Sequence, residues 1–169
     1  NTLHEILYGF GAVPIINEND TVATEEIKFG DNDRLSALVA NLVDAKKLII
    51  LTDVDGLKSP EDEKPIPLVT HISGKILAMA TKEVGKLARG GMRSKLQAVK
   101  IATDSGIPCV IANGKSKDVL LKIIGKETIG TTFLPQQKRH TAKKRWIAFS
   151  LVPHGAVLVD EGAKKALIA

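Results

Sequence analysis

Lys47-Leu48-Ile49-Ile50-Leu51-Thr52-Asp53-Val54-Asp55-Gly56 is the stretch on which the fold turns. Leu48 to Leu51 is apolar without alternation, the pattern of a strand covered on both faces. It ends in a polar cluster, Thr52 to Gly56. Just upstream, Leu35, Leu38, Val39, Leu42 and Val43 recur at helical spacing behind Gly30-Asp31-Asn32-Asp33, whose Asp or Asn side chain can cap the helix. Downstream, Ile72 to Thr81 is predicted helical. Gly90-Gly91 opens another helix carrying Met92, Leu96, Val99 and Ala102 and stopping at Gly106. Pro108 to Ala112 reads as a strand and Asp118 to Ile124 as a short helix. At the start, Leu3, Ile6, Leu7 and Phe10 share a helical face before Gly11, and Val13 to Ile16 reads as a second buried parallel strand ending in Asn17-Glu18-Asn19-Asp20. Ala23 to Phe29 leaves a hairpin open, and Lys58 to Pro67 is a loop by composition. Strands alternating with helices predict an α/β fold, a three-layer αβα sandwich with a mainly parallel sheet.

In such sheets ligands sit beyond the carboxyl ends of the strands. That rule points to Asn17 to Asp20, to Thr52 to Gly56 and to Asn113-Gly114. Gly90-Gly91-Met92-Arg93-Ser94-Lys95 adds two glycines at a helix start, where free N–H groups favour an anion, with Lys95 one turn in. A plain helix start with a solvated lysine is the structural alternative. For Gly30 to Asp33 capping is the structural alternative, since acidic side chains stabilise a helix start by themselves. Gly114-Lys115-Ser116 ends like a P-loop, but the glycine that motif needs at position 109 is Cys. His4, His71, His140 and His154 show no metal-ligand spacing, so no metal-ligating residue is expected. Cys109, the single cysteine, excludes an intramolecular disulfide framework and sits in the apolar run Pro108 to Ala112 as a core residue. A reducing, cytoplasmic setting is the expectation.

Charge sharpens the organisation. The chain has 169 residues, with 24 Lys and Arg against 19 Asp and Glu. The run Lys138 to Arg145 holds five of the bases, and without it the two signs balance at 19 each. The chain is therefore not a general polyanion binder. Aromatic residues are 4% of the chain, too few for a base-stacking platform. No apolar stretch approaches a membrane span, and the N-terminus lacks the pattern of a signal peptide. From Asn1, not Met, a start inside a longer protein is expected. After Pro135 the character changes. Residues 136–145 read as a basic linker, Trp146 to Phe149 and Ala156 to Val159 as strands, and Gly162 to Ala169 as a helix.

Taken in order, Val13-Pro14-Ile15-Ile16-Asn17-Glu18-Asn19-Asp20, Phe29-Gly30-Asp31-Asn32-Asp33, Leu51-Thr52-Asp53-Val54-Asp55-Gly56-Leu57 and Gly90-Gly91-Met92 with Lys95 resemble the glutamate 5-kinase family of the amino acid kinase superfamily. Gly130-Thr131 with Phe133 resembles its closing strand. Lys144-Arg145-Trp146-Ile147 and Val159-Asp160-Glu161-Gly162-Ala163 resemble the start of a PUA domain. The implied organisation is residues 1–135 as the later part of a kinase domain, 136–145 as linker and 146–169 as a truncated PUA start. Four ordered motifs make the match specific where each alone is weak.

The resemblance implies ATP-dependent phosphorylation of the glutamate side-chain carboxylate, the first step of proline synthesis, with Mg²⁺ alongside the nucleotide. It implies that Asp20 and Asn32 bind glutamate and that Thr52 and Asp53 meet the nucleotide. Arg89, Gly90, Gly91, Met92, Arg93, Ser94 and Lys95 form the nucleotide loop, with Lys95 catalytic and Asp33 holding catalytic lysines in position. Proline as a feedback inhibitor, assembly as a homo-oligomer and inactivity of this segment alone belong to the same implication. Where the family reads Gly-Thr before Gly-Gly-Met, Ala88-Arg89 stands here, and the 58–67 loop is shorter. The family's opening strand, with its lysine, glycine-rich turn and glutamate-holding serine, falls before Asn1. Two other readings compete: an amino acid kinase with a different acid or a nucleotide monophosphate as substrate, and an RNA-binding module through the PUA-like segment. Neither a membrane nor RNA is an expected partner.

Overall fold

The computed structural model describes residues 2–17, 32–59, 61, 64–82, 91–135 and 158–168. Its elements follow the expected alternation. Helix α1 (Thr2–His4) runs into a π-helical turn at Glu5–Gly9. Helix α2 (Asn32–Leu42) leads into strand β1 (Leu48–Thr52). The loop over 58–67 carries one antiparallel bridge, Lys58 to Pro65, before the two-residue strand β2 (Leu68–Val69). Helices α3 (Gly74–Lys82) and α4 (Gly91–Asp104) precede strand β3 (Cys109–Asn113). Helix α5 (Val119–Ile124), strand β4 (Thr131–Phe133) and helix α6 (Glu161–Ile168) complete the order.

The four strands lie side by side as β1-β3-β4-β2. β1 pairs parallel with β3, Leu48 opposite Cys109 through Thr52 opposite Asn113. β4 runs antiparallel to β3 and parallel to β2, so the sheet is mixed, with two of three neighbour pairs parallel. The direction of β4 is not readable locally: a three-residue strand buries alternate side chains whichever way it runs.

Alternation along β3 creates the layers. Cys109 and Ile111 face a core built with Ala37 and Ala40 of α2, Met92, Leu96, Val99 and Ala102 of α4, and Phe133. Val110 and Ala112 face the other way, against Val119 and Ile123 of α5. A strand covered on both sides cannot alternate in polarity, which is why the 108–112 run is apolar throughout; β1 is covered less evenly, with Leu48 and Ile50 buried and Leu51 exposed. Two glycines make the closing strand fit. Gly130 has φ +69°, and a Cβ there would collide with the Ile111 carbonyl oxygen. Gly56 has φ +139°, and a Cβ there would lie 2.6 Å from Thr131 Oγ1, the atom that accepts the Leu57 N–H at 2.8 Å.

Val13 to Ile16 is the main correction. It is not a buried strand: Val13 is 86% and Ile15 98% exposed, and the stretch has no regular structure. An apolar run becomes a strand only where neighbours take its hydrogen bonds, and among the described residues no strand pairs with it. Pro14 removes one donor as well. Leu158 and Val159 are likewise exposed and outside any strand. The expectations for Ala23 to Phe29, for the linker 136–145 and for Trp146 to Phe149 lie outside the described residues. No described helix is long and apolar enough to cross a membrane.

Candidate functional site

Two features of the fold bring polar side chains together. The first follows from strand register. Because β1 and β3 are parallel and level, their carboxyl ends finish side by side, Thr52 opposite Asn113. The Gly114 N–H donates to the Thr52 carbonyl at 2.8 Å, tying the two exits. Asn113 Nδ2 donates to Asp55 Oδ1 at 2.9 Å, and Asn113 Oδ1 accepts the Lys115 N–H at 2.9 Å. Asn113 thereby spans the loop after β1 and its own turn. Thr52 Oγ1 donates to Asp53 Oδ1 at 3.1 Å, and Asp53 is exposed, its carboxylate open to a ligand.

The second feature is the meeting of α2 and α4. Each helix enters its strand through a short connection, α2 into β1 and α4 into β3, so each helix ends where its strand begins and its first turn lies toward the strand's carboxyl end. Their first turns face each other. Asp33, in the first turn of α2, accepts Lys95 Nζ on Oδ2 at 3.0 Å, and Ser94 Oγ donates to the same oxygen at 2.9 Å. Ser94 Oγ also lies 3.1 Å from the Gly91 carbonyl oxygen. Asp33 and Lys95 are 18% and 19% exposed, so the pair is shielded yet reachable from solvent. Capping explains Asp33 less well than this contact across helices does.

This arrangement can handle a phosphate. Two helix starts present N–H groups at their amino ends, and Lys95 adds a positive charge fixed in place by Asp33. One carboxylate oxygen takes one of the three ammonium donors, leaving geometry for the others to meet an anion. α4 begins at Gly91, where the missing side chain lets a ligand come close to the backbone.

The remaining sequence-predicted residues divide as follows. Gly91, Arg93, Ser94 and Lys95 stand together in the first turns of α4, with Arg93 exposed. Met92 is 7% exposed and turned into the core, so its side chain packs where only its backbone could face a ligand. Asn32 is exposed beside Asp33 at the start of α2. Asp20, Arg89 and Gly90 lie outside the described residues, and Asn17 is exposed at the edge of that gap. The Asn113 bridge to Asp55 was only half legible: the strand-end rule flagged Asn113-Gly114, but nothing local says that its amide reaches Asp55. Among the described residues no group of three His, Cys, Asp or Glu side chains could hold a metal ion.

Cys109 faces the same core as α2 and α4 and is fully buried. Burial pushes its thiol up from 9.0 to about 12; a backbone hydrogen bond from Val110 works against this and the negative charge of Asp33 adds to it. It is a packing residue with no thiolate to offer.

The chain is similar to known proteins along most of its length. Residues 1–113 match the amino acid kinase family. The chain is 52% identical over 167 residues to the glutamate 5-kinase of Caldanaerobacter subterraneus subsp. tengcongensis, covering 96% of the chain and 45% of that protein. It is 48% identical over 166 residues to the glutamate 5-kinase of Marinomonas sp., covering 95% and 44%. Against the glutamate 5-kinase of Synechococcus elongatus the identity is 49% over 168 residues, covering 96% and 46%. The chain thus spans a little under half the length of the curated relatives it matches.

Proposed function

The chain belongs to the amino acid kinase family, and from that premise we propose that the protein carrying it is a glutamate 5-kinase, transferring the γ-phosphoryl group of ATP to the side-chain carboxylate of L-glutamate. The product is L-glutamyl 5-phosphate, the first intermediate of proline biosynthesis. The observation that carries this reading is the Asp33–Lys95 pair, held at 3.0 Å where the first turns of α2 and α4 meet. About half of all aligned positions agreeing with named glutamate 5-kinases supports the choice of acid.

The chemistry asks little of a general base. A glutamate carboxylate oxygen, already ionised at neutral pH, attacks the γ-phosphorus; the new C–O–P linkage forms as the bond to the β,γ-bridging oxygen breaks and ADP leaves. No proton has to move. What the protein supplies is alignment and charge. Lys95 and the α4 helix start neutralise the phosphoryl oxygens, while Asp33 keeps Lys95 from wandering. Thr52 and Asp53, at the end of β1, take the nucleotide, with Gly91, Arg93 and the preceding Arg89 and Gly90 around its phosphates. Asp20 and Asn32 hold glutamate. Mg²⁺ is assigned to the nucleotide phosphates; among the described residues no group of carboxylates is placed to hold it.

Proline feedback and a homo-oligomer accompany this reading by resemblance, as does a kinase portion over 1–135 followed by a linker and a PUA start over 146–169. The test is glutamyl hydroxamate formation from glutamate, ATP and hydroxylamine by the full-length protein. Asp20→Ala and Asn32→Ala are expected to raise the glutamate KM far more than the ATP KM. Equal effects on both, or no glutamate-dependent ADP release, would overturn the assignment.

A further inference from the structure

Ser94 belongs, by resemblance, to the nucleotide loop, yet its environment is of another kind. It is 9% exposed, and its hydroxyl lies 2.9 Å from Asp33 Oδ2 and 3.1 Å from the Gly91 carbonyl oxygen. A hydroxyl has one hydrogen to give, and the charged, nearer carboxylate is the stronger acceptor. The same oxygen receives Lys95 Nζ at 3.0 Å. Adjacent residues on a helix project about 100° apart. For Ser94 and Lys95 to meet one oxygen, both the carboxylate and the rotation of the first turn of α4 must be fixed.

We propose that Ser94 is a positioning residue: its hydroxyl clamps the Asp33 carboxylate so that Lys95 is held at one place for the phosphoryl group, and it does not contribute to nucleotide affinity. With the hydroxyl removed, Asp33 keeps its charge and its lysine but loses a contact that helps set its torsion. The carboxylate then swings, and Lys95 swings with it. Gly91 ties this clamp to the start of α4, because its carbonyl is the alternative acceptor when the hydroxyl leaves Asp33.

The proposal rests on the kinase reading above, and two measurements separate them. In the full-length protein, with ATP and glutamate varied independently, Ser94→Ala is expected to lower kcat about tenfold to a hundredfold, the scale on which small misplacements act. The ATP KM is expected to stay within about twofold. Ser94→Thr, which keeps the hydroxyl, recovers kcat, while Ser94→Cys, of similar size but a weak donor, does not. An ATP KM raised about tenfold with kcat retained would make Ser94 a nucleotide contact and overturn the proposal. So would full kcat in the alanine or cysteine variant. The second measurement needs no turnover: the energetic coupling between Asp33 and Lys95 in denaturant unfolding, measured with Ser94 present and with Ser94→Ala. It is expected to fall by about half when the hydroxyl is gone, and an unchanged coupling refutes the clamp even if the protein proves to phosphorylate something other than glutamate.

Discussion

Breaking the Asp33–Lys95 pair from one side should cost more than dismantling it from both. At 3.0 Å the gross attraction is about 5.5 kcal/mol for an effective dielectric constant of about 20. Against it stands the loss of hydration, which is severe because the two side chains are only 18% and 19% exposed. The net coupling expected is about 1–3 kcal/mol, above the value of about 0.2–1 kcal/mol usual for exposed pairs. Asp33→Asn takes the counter-charge from the ammonium, and Lys95→Met takes it from a carboxylate that still accepts Ser94. Each single change should destabilise by about 2–4 kcal/mol, and the double variant by less than the two together. The assay is urea unfolding of wild type, both single variants and the double variant in the full-length protein, read as shifts in the transition midpoint. Because the pair is mostly covered, the coupling should persist at high salt. Additivity within about 0.5 kcal/mol, or a coupling erased by salt, would refute the view of Lys95 as a charge fixed by Asp33.

Two further outcomes test the frame around the site. The Cys109 thiol ionises near 9.0 in the unfolded chain and near 12 in the fold, so the stability linked to its protonated form is complete below pH 9 and is lost as the pH rises through 12. The interval is worth about 4 kcal/mol at most. Wild type should therefore lose stability between pH 9 and 10.5 more steeply than Cys109→Ala, and a thiol reagent should label the native protein only through unfolding; equal slopes or prompt native labelling would contradict the burial. Thr131→Val keeps the shape of a fully buried side chain but deprives the Leu57 N–H of its acceptor at 2.8 Å. The expected loss is about 1–3 kcal/mol in denaturant unfolding. Thr131→Ser should recover most of it, and a neutral valine variant would show that the contact is dispensable.

The sequence was most readable where burial leaves no choice. Cys109 to Ala112 is apolar at every position because both faces are covered, and Leu48 to Leu51 beside it buries Leu48 and Ile50; those apolar runs identified strands and layers. Val13 to Ile16 is apolar too, with one donor lost at Pro14, and became no strand, since composition records a tendency to be covered and not the presence of partners. The direction of β4 was hidden for a similar reason: three residues cannot encode which way they run beside β3. At the site, helix starts and glycines marked Asp33 and Lys95 as candidates separately. Their meeting is a contact between residues 62 apart in sequence, and only the packing of α2 on α4 makes it. Asn113 and Asp55, 58 residues apart, repeat the lesson at the strand ends.

Ser94 shows why a motif position and a role are different things. A loop motif fixes which residues share a turn of helix, and every residue in it inherits the same expectation. A helix turn has several sides. Arg93 faces solvent, Met92 enters the core, and Ser94 and Lys95 turn toward Asp33. One turn can therefore contact a ligand, anchor itself in the core and orient its own lysine with consecutive side chains. Phosphoryl transfer rewards that division, because its demands are charge placed at a fixed distance and a backbone that does not move. Met92 supplies the second through burial. Asp33 and Ser94 together supply the first.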